Sequence, residues 1–199
     1  MPKKRTDVVF FIEHVARDLD IASAVKYLAS KHYGLEVQIA SVVSHLEKTL
    51  DHHHPDVVGL PYGFNVNAFG LRKILTAWPD SVYVNLAYEQ IFRRHQLASK
   101  APSDNFAREH LLHHAWGDFY AAYLGQHGVP DDNIFVNGNP TYALYKAPYV
   151  AYFESRSELS ERFRLNPNKR WIFVPENYGA AFGTDRAVRR PIEGGREEA

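Results

Sequence analysis

Ionisable residues follow directly on the most hydrophobic segment of this chain. Residues 8–12 form an unbroken apolar run, VVFFI, and Glu13, His14, Arg17 and Asp18 come soon after it. A carboxylate or an imidazole can take a proton from a hydroxyl group, and a guanidinium can bind a phosphate or carboxylate group. Residues of these types directly after a buried strand are therefore candidates for a functional site, with Glu13 and His14 as the candidate catalytic residues.

The same stretch also has a structural interpretation. Asp18 is well placed to cap the helix that follows, and Arg17 can pair with it at the protein surface. For these two residues the structural interpretation is favoured, although Arg17 stays a candidate contact for substrate phosphate. Glu13 and His14 lie closer to the apolar run, where a charge beside a buried strand needs a reason, so a functional role is favoured for Glu13.

The composition restricts the classes of protein to which the chain can belong. Its 199 residues, 45% of them hydrophobic, suffice for one good-sized core and part of a second domain. Lys and Arg total 23, as do Asp and Glu, so the net charge does not favour a nucleic-acid partner. The absence of Cys excludes disulfide and thiolate chemistry. Because no apolar stretch reaches the length of a signal-peptide core or a membrane span, we expect a cytoplasmic protein without an integral membrane segment.

Short apolar runs alternate with segments of helical period. The runs at 7–12, 36–40, 56–60, 81–86 and 133–140 predict strands. Strands that alternate with crossover helices build a parallel sheet with helices on both faces. The predicted fold is therefore α/β, a Rossmann-like three-layer α/β/α domain with a mainly parallel sheet.

Local signals predict the limits of particular helices. The first helix is expected to end near Gly34. Ser44 and Glu47 have the spacing of a capping box for a short second helix. The stretch NFAREHLLHHAW, residues 105–116, predicts a further helix.

In open parallel sheets, ligands bind beyond the carboxyl ends of the strands. Glu13 follows the first predicted strand and Glu89 follows the fourth, so both are candidate bases at this edge. A structural alternative for Glu89 is an ion pair with Arg93 at helical i,i+4 spacing. Arg93 and Arg94 are also candidate phosphate contacts.

The stretch PYGFNVN, residues 61–67, follows the third predicted strand. Tyr62 and Gly63 are candidate substrate-binding residues, because Gly63 permits unusual backbone angles and the next helix start could bind an anionic or hydroxylated ligand. The asparagines of this stretch can instead cap that helix, and the two roles are compatible. No G-x-G-x-x-G follows the first strand, so a dinucleotide site is disfavoured and no cofactor is predicted.

Histidines occur in two clusters that invite a metal interpretation. Residues 52–54 are consecutive histidines, a spacing that does not converge on one ion, and they are expected at a solvated helix end. His110, His113 and His114 could share one helix face and hold Zn²⁺, but no Cys or carboxylate completes the set. No metal site is predicted.

The pattern changes after residue 140, so we expect four segments. They are a Rossmann-like domain at 1–150, a linker helix at 151–169, the incomplete start of a second α/β domain at 170–183, and a disordered tail at 184–199.

Four stretches resemble surface carbohydrate biosynthesis proteins of bacterial capsule pathways. They are IEHVARDLD (12–20), LAYEQIF (86–92), HAWGDFYAAYLGQHGVPDDNIFVNGNP (114–140) and WIFVPENYGAAF (171–182). Those proteins are two-domain, GT-B-type glycosyltransferase-like proteins. The wider set includes CDP-glycerol glycerophosphotransferases and the UDP-N-acetylglucosamine 2-epimerase fold.

The resemblance implies transfer of a sugar from a nucleotide sugar to a glycan acceptor, without a metal. The first domain would hold the acceptor and the base, while the second, of which only the start is present, would carry most of the donor site. Asn139, and Glu176 with Asn177, would face the cleft between the domains as substrate contacts. Such a pathway is compatible with peripheral association with the inner membrane, and the oligomeric state is left open.

Other functions compete with this one. A nucleotide-sugar epimerase or a polyol-phosphate transferase could use the same fold. A non-catalytic binding module, or a fragment of a truncated gene, is the alternative without chemistry.

Overall fold

A computed structural model describes residues 3–90 and 94–172. The chain divides into two compact units, Met1–Tyr152 and Phe153–Ala199. The strands and α-helices are β1 (Lys4–Ile12), α1 (Val15–Tyr33), β2 (Val37–Ser41), α2 (Leu46–His52), β3 (His53–Leu60), α3 (Leu71–Ala77), β4 (Val82–Asn85), α4 (Arg94–Leu97), α5 (Asn105–Glu109), β5 (Leu111–Ala115), α6 (Asp118–Gln126), β6 (Ile134–Val136), α7 (Pro140–Leu144) and α8 (Arg156–Arg162).

The first unit contains a six-stranded, all-parallel sheet in the order β2-β1-β3-β4-β5-β6. Successive β1 side chains enter different layers: Val9 and Phe11 pack with α2 and α3, whereas Phe10 and Ile12 pack with α1. Every residue of this strand segment is therefore apolar. The predicted Rossmann-like α/β/α fold is confirmed.

The first helix ends where the sequence predicts. Gly34 takes a left-handed backbone conformation, with φ +66°, and its N–H donates to the carbonyls of Ala29 and Ser30. That conformation suits glycine, which has no Cβ to clash.

The predicted helix at 105–116 is wrong in its second half. The helix α5 ends at Glu109, and Leu111–Ala115 is the strand β5, which pairs with β4 and β6. Leu111, His113 and Ala115 are fully buried while the residues between them are partly exposed, which is the period of a strand. Pairing on both sides outweighed the local helical pattern.

Two other local predictions also need correction. The capping box of Ser44 and Glu47 does not form, because His45 is the N-cap of α2 and Ser41 Oγ instead accepts from the N–H of Val43 and Ser44. The histidine run does not end a helix as a unit: His52 closes α2, and His53 begins β3.

The second unit is described over residues 153–172. Its helix α8 has a capping box in which Ser155 and Glu158 satisfy one another's backbone N–H groups. A helix is therefore present within the predicted segment 151–169, whose role as a linker stays a prediction. Most of the predicted second-domain start and the tail lie outside the described residues. In the part of the chain that the structure describes, no helix has the length and apolar character needed to cross a membrane.

Candidate functional site

Asp18 organises the turn between β1 and α1. Its carboxylate is fully buried, and its Oδ2 accepts the backbone N–H groups of Glu13 and His14, each at 3.0 Å. The predicted cap is therefore wrong in its position: His14 is the N-cap of α1 without a side-chain cap, and Asp18 reaches back from inside the helix to the N–H groups of Glu13 and His14. Its pairing with Arg17 is not a surface contact either, because the carboxylate is inside the protein.

Arg17 joins three carboxylates. Its Nε donates to Asp18 Oδ1 at 2.5 Å, its Nη2 to Asp18 Oδ2 at 3.2 Å and to Glu13 Oε2 at 2.9 Å, and its Nη1 to Glu89 Oε1 at 2.6 Å. Burial alone would lower the pKa of Arg17, but the hydrogen bonds to Asp18 and Glu13 outweigh it and raise the pKa. Four of the five guanidinium N–H groups are thus used within the protein.

Glu13 accepts hydrogen bonds from two side chains, Arg17 and Tyr62, at the end of β1 and lies beside a third, His14. Tyr62 donates its hydroxyl to Glu13 Oε2 at 2.8 Å, and His14 Nε2 lies 3.4 Å from the same oxygen. The side chain of Glu13 is 16% exposed, whereas that of His14 is 63% exposed. Burial, followed by the hydrogen bond to Glu13, raises the pKa of Tyr62, so this hydroxyl keeps its proton and acts as the donor.

A buried polar network positions the segment that carries Glu89. Asn85 Oδ1 accepts the N–H of Ala87, and Ala87 takes an unusual positive φ of 43°. Asn85 Nδ2 lies 3.2 Å from Nδ1 of the buried His113. Since His113 Nε2 lies 2.6 Å from the carbonyl of Ala107, Nε2 carries the proton and Nδ1 accepts from Asn85. Burial lowers the pKa of His113, which keeps the ring neutral.

Lys100 completes the cluster and was not predicted from the sequence. Its side chain is only 9% exposed, and its Nζ lies 3.9 Å from Glu89 Oε2 and 5.9 Å from the centres of the Tyr62 and Phe64 rings. Burial lowers the pKa of Lys100, and the nearby Glu89 opposes that shift. No motif marks this lysine, which is the last residue of a 3-10 turn, Ala98–Lys100, directly after α4.

We call Glu13, His14, Arg17, Tyr62, Glu89 and Lys100 the rim cluster. With Asp18 included, three carboxylates face two cations, so the cluster has a formal charge of −1 when His14 is neutral. Such a site accepts hydrogen bonds from hydroxyl groups more readily than it binds an anion. In the structure, Glu13, His14 and Glu89 lie together at one edge of the sheet, as predicted.

The other candidate residues have structural contacts. Gly63 does not use a left-handed backbone; it is needed because a Cβ there would lie 2.7 Å from Leu111 Cδ1. Asn139 Oδ1 accepts the N–H of Thr141 and caps α7.

Four candidates cannot be placed. Arg93, Glu176 and Asn177 lie outside the described residues, as does the side chain of Arg94. Glu89 pairs with Arg17, and the proposed partner Arg93 stays a prediction.

The histidines do not form the predicted helical cluster. His113 and His114 are neighbours on β5 and so point to different faces of the sheet. His53 Nδ1 instead contacts Thr6 Oγ1 at 2.9 Å, and His52 Nδ1 contacts the carbonyl of Lys48 at 2.7 Å. Among the described residues, no three His, Cys, Asp or Glu side chains are arranged to hold a metal ion.

Comparison of the chain with protein families, with curated proteins and with solved structures found no match in any of the three. The fold and the rim cluster therefore define the class: a Rossmann-like α/β domain with an ionisable site at the carboxyl edge of its sheet.

Proposed function

We propose that the first unit is the acceptor-side domain of a GT-B-type glycosyltransferase of surface-polysaccharide synthesis. It binds a glycan acceptor at the rim cluster, and a second domain supplies most of the nucleotide-sugar site. The observation that carries the proposal is the contact of His14 Nε2 with Glu13 Oε2, 3.4 Å apart at the end of β1. An exposed imidazole oriented by a fixed carboxylate is a suitable general base for a hydroxyl group.

Among the three candidate bases, His14 fits best. Glu13 Oε2 already accepts from Arg17 and Tyr62, so a proton there would disrupt both contacts. Within the described residues, the other ring nitrogen of His14 makes no hydrogen bond, and it is available to a substrate. Glu13 therefore acts as the positioning residue that stabilises the imidazolium formed during transfer.

Glu89 is suited to holding the acceptor. Its side chain is 44% exposed, with Oε1 bound to Arg17 and Oε2 3.9 Å from Lys100. An ionised carboxylate in this position accepts hydrogen bonds from sugar hydroxyls. Arg17 holds Glu13 and Glu89 in place, and its single remaining N–H group makes it a poor phosphate site.

The reaction balances with these residues in place. The acceptor hydroxyl gives its proton to His14 while its oxygen forms a bond to the anomeric carbon of the donor sugar. The bond from that carbon to the phosphate oxygen breaks, and the nucleoside diphosphate leaves with the electron pair. Its charge is compensated from the second domain, because the rim cluster is itself anionic.

A non-catalytic carbohydrate-binding module is the second candidate. It is favoured because four of the five N–H groups of Arg17 already bind carboxylates of the protein. Such a network can serve to hold a binding surface without chemistry. Substitution of His14 distinguishes the two, since a binding module does not need a base.

The test is to titrate the full chain with a panel of methyl glycosides and of nucleotide sugars, using NMR to detect binding. We expect a methyl glycoside to bind and Glu89→Gln to weaken it about tenfold, because a charge-assisted hydrogen bond is lost. Glu47→Gln is the matched control, since Glu47 is exposed and pairs with Lys73 on α3. Equal affinities of Glu89→Gln and the unsubstituted chain, or tight binding of a nucleotide sugar alone, would contradict the proposal.

A further inference from the structure

A cavity of about 270 Å³ lies beside the rim cluster, on the α1 side of the sheet. Val84, Leu86 and Leu112 form its floor, and Ile21 of α1 forms one wall. A cavity of about 150 Å³ with similar walls is enough to hold benzene. This one therefore has room for an aromatic ring or a short alkyl chain.

The topology explains why the floor is open. β2 lies on one side of β1 and the strands β3 to β6 lie on the other, so right-handed crossovers place α1 on one face and α2, α3, α5 and α6 on the opposite face. Among the described residues, little helix covers the α1 face above β4 and β5. Val84 and Leu112 are accordingly only partly buried.

Tyr88 separates the cavity from the rim cluster. The residue is 6% exposed and lines the cavity, and its ring centre lies 5.8 Å from Cζ of Arg17 and 6.3 Å from the ring centre of Phe10. The cavity and the ion-paired carboxylates are thus one side chain apart.

The hydroxyl of Tyr88 is buried and has no hydrogen-bond partner among the described residues. Burial raises the pKa of Tyr88, so the hydroxyl keeps its proton and remains a donor. A buried polar group without a partner costs stability and needs an explanation. Because this oxygen has almost no accessible surface, the part of Tyr88 that faces the cavity is its apolar ring.

The rest of the cavity favours an uncharged, apolar ligand group. The polar side chains that line it besides Tyr88 are His114 and Asn137. His114 Nδ1 lies 3.4 Å from the carbonyl of Leu86, and burial lowers the pKa of His114, which keeps it neutral. An ion would lose its hydration here without gaining a charged partner.

We propose that the cavity binds the apolar group of an amphiphilic acceptor, an alkyl or aryl glycoside. The sugar hydroxyls lie at Glu89 and His14, and the ring of Tyr88 lies between the sugar and its apolar group. This inference rests on the proposed function and names the class of acceptor.

Three ligands test this proposal: hexyl β-D-glucopyranoside, methyl β-D-glucopyranoside and 1-hexanol. Each is titrated against the full chain, and NMR detects binding. We expect the hexyl glucoside to bind at least about tenfold more tightly than either of the other two, because burial of each methylene group contributes to affinity. Equal affinities of the two glucosides would overturn the cavity proposal and leave the rim cluster as an acceptor site.

Three variants locate the ligand. Val84→Trp fills the cavity and should abolish the advantage of the hexyl chain, while Val82→Trp is the matched control. Val82 lies on the same strand and face, is 48% exposed and does not line the cavity. Tyr88→Phe keeps the ring that lines the cavity, so it should leave the affinity for the hexyl glucoside unchanged and the melting temperature unchanged or raised, since it removes an unpaired hydroxyl.

Two further results would overturn the proposal. If Val84→Trp folds and binds the hexyl glucoside unchanged, the chain does not bind in this cavity. If the hexyl glucoside binds no more tightly than 1-hexanol and Glu89→Gln has no effect, the sugar does not bind at the rim. That second result would remove the proposed function as well.

Discussion

Arg17 and Glu89 are joined by a 2.6 Å hydrogen bond although 72 positions separate them in the sequence. Arg17 lies in the first turn of α1, which follows β1, and Glu89 follows β4. The strand β3 lies between β1 and β4 in the sheet. The same guanidinium binds Glu13 and the buried Asp18. One cation thus fixes the separation of the exposed acidic groups at the rim.

Arg17→Met is expected to destabilise the protein strongly. It leaves Asp18, which is fully buried, without its charged partner, and breaking a buried ion pair in this way costs about 3–5 kcal/mol. Denaturant unfolding measures the change. Arg72→Met is the control, because Arg72 is exposed and its side chain donates to Asn67. A loss of less than about 1 kcal/mol would show that Arg17 does not support the fold.

His14→Gln should abolish sugar transfer and leave stability unchanged. The side chain is 63% exposed, so its removal affects little packing, whereas loss of a general base lowers turnover by about 10²–10⁴-fold. Turnover is measured in a two-domain protein in which this unit is joined to a nucleotide-sugar-binding domain, as release of nucleoside diphosphate in the presence of an acceptor glycoside. Retained binding of the methyl glycoside together with lost turnover supports the base role, and unchanged turnover removes His14 from the mechanism.

Gly63→Ala and Gly125→Ala should change stability in opposite directions. A Cβ at Gly63 would lie 2.7 Å from Leu111 Cδ1, which is fully buried, so overpacking of about 1–3 kcal/mol is expected. Gly125 lies inside α6 with no atom within 4 Å of an added Cβ, so alanine there should stabilise the helix by about 0.5–1 kcal/mol. Thermal unfolding of both variants measures the two effects, and a destabilised Gly125→Ala would be evidence against this description of α6.

Stability should fall as the pH drops below about 6.5, and His113 should contribute to that loss. Its pKa is lowered in the folded state by burial from an ordinary value of 6.5, so below that pH the unfolded chain binds a proton that the folded chain refuses. Above pH 6.5 His113 does not make stability depend on pH. Below that pH it lowers the free energy of unfolding by up to about 1.4 kcal/mol per pH unit.

Urea unfolding at pH 7.5, 6.5 and 5.5 measures this dependence. His113→Gln should be less stable at pH 7.5, because its contacts with Asn85 and Ala107 change, but its stability should depend less on pH. His32→Gln, on the exposed end of α1, controls for the loss of a histidine. Identical pH slopes for the chain and its His113→Gln variant would show that His113 does not couple folding to pH.

Much of the architecture was predictable because it depends on local pattern. Apolar runs such as residues 8–12 identify strands that are buried on both faces, and Gly34 ends the first helix through its own backbone freedom. The positions of Glu13 and Glu89 just after strands placed them at the same edge of the sheet, since parallel strands share their carboxyl ends.

Other features depend on contacts between distant segments, which a local pattern does not encode. Residues 111–115 have an acceptable helical pattern but become a strand because β4 and β6 pair with them on both sides. Lys100 is not part of a recognisable motif, and its contact with Glu89 depends on where the 3-10 turn after α4 lies in the fold.

By itself, the sequence determined a wound parallel sheet with carboxylates at one edge, because strand burial and helix ends are read from neighbouring residues. Only the tertiary structure decided that Arg17 would bind three carboxylates and that Tyr88 would lie between those charges and an apolar cavity. Both results depend on strand order and crossover direction, which determine the side chains that meet across the sheet.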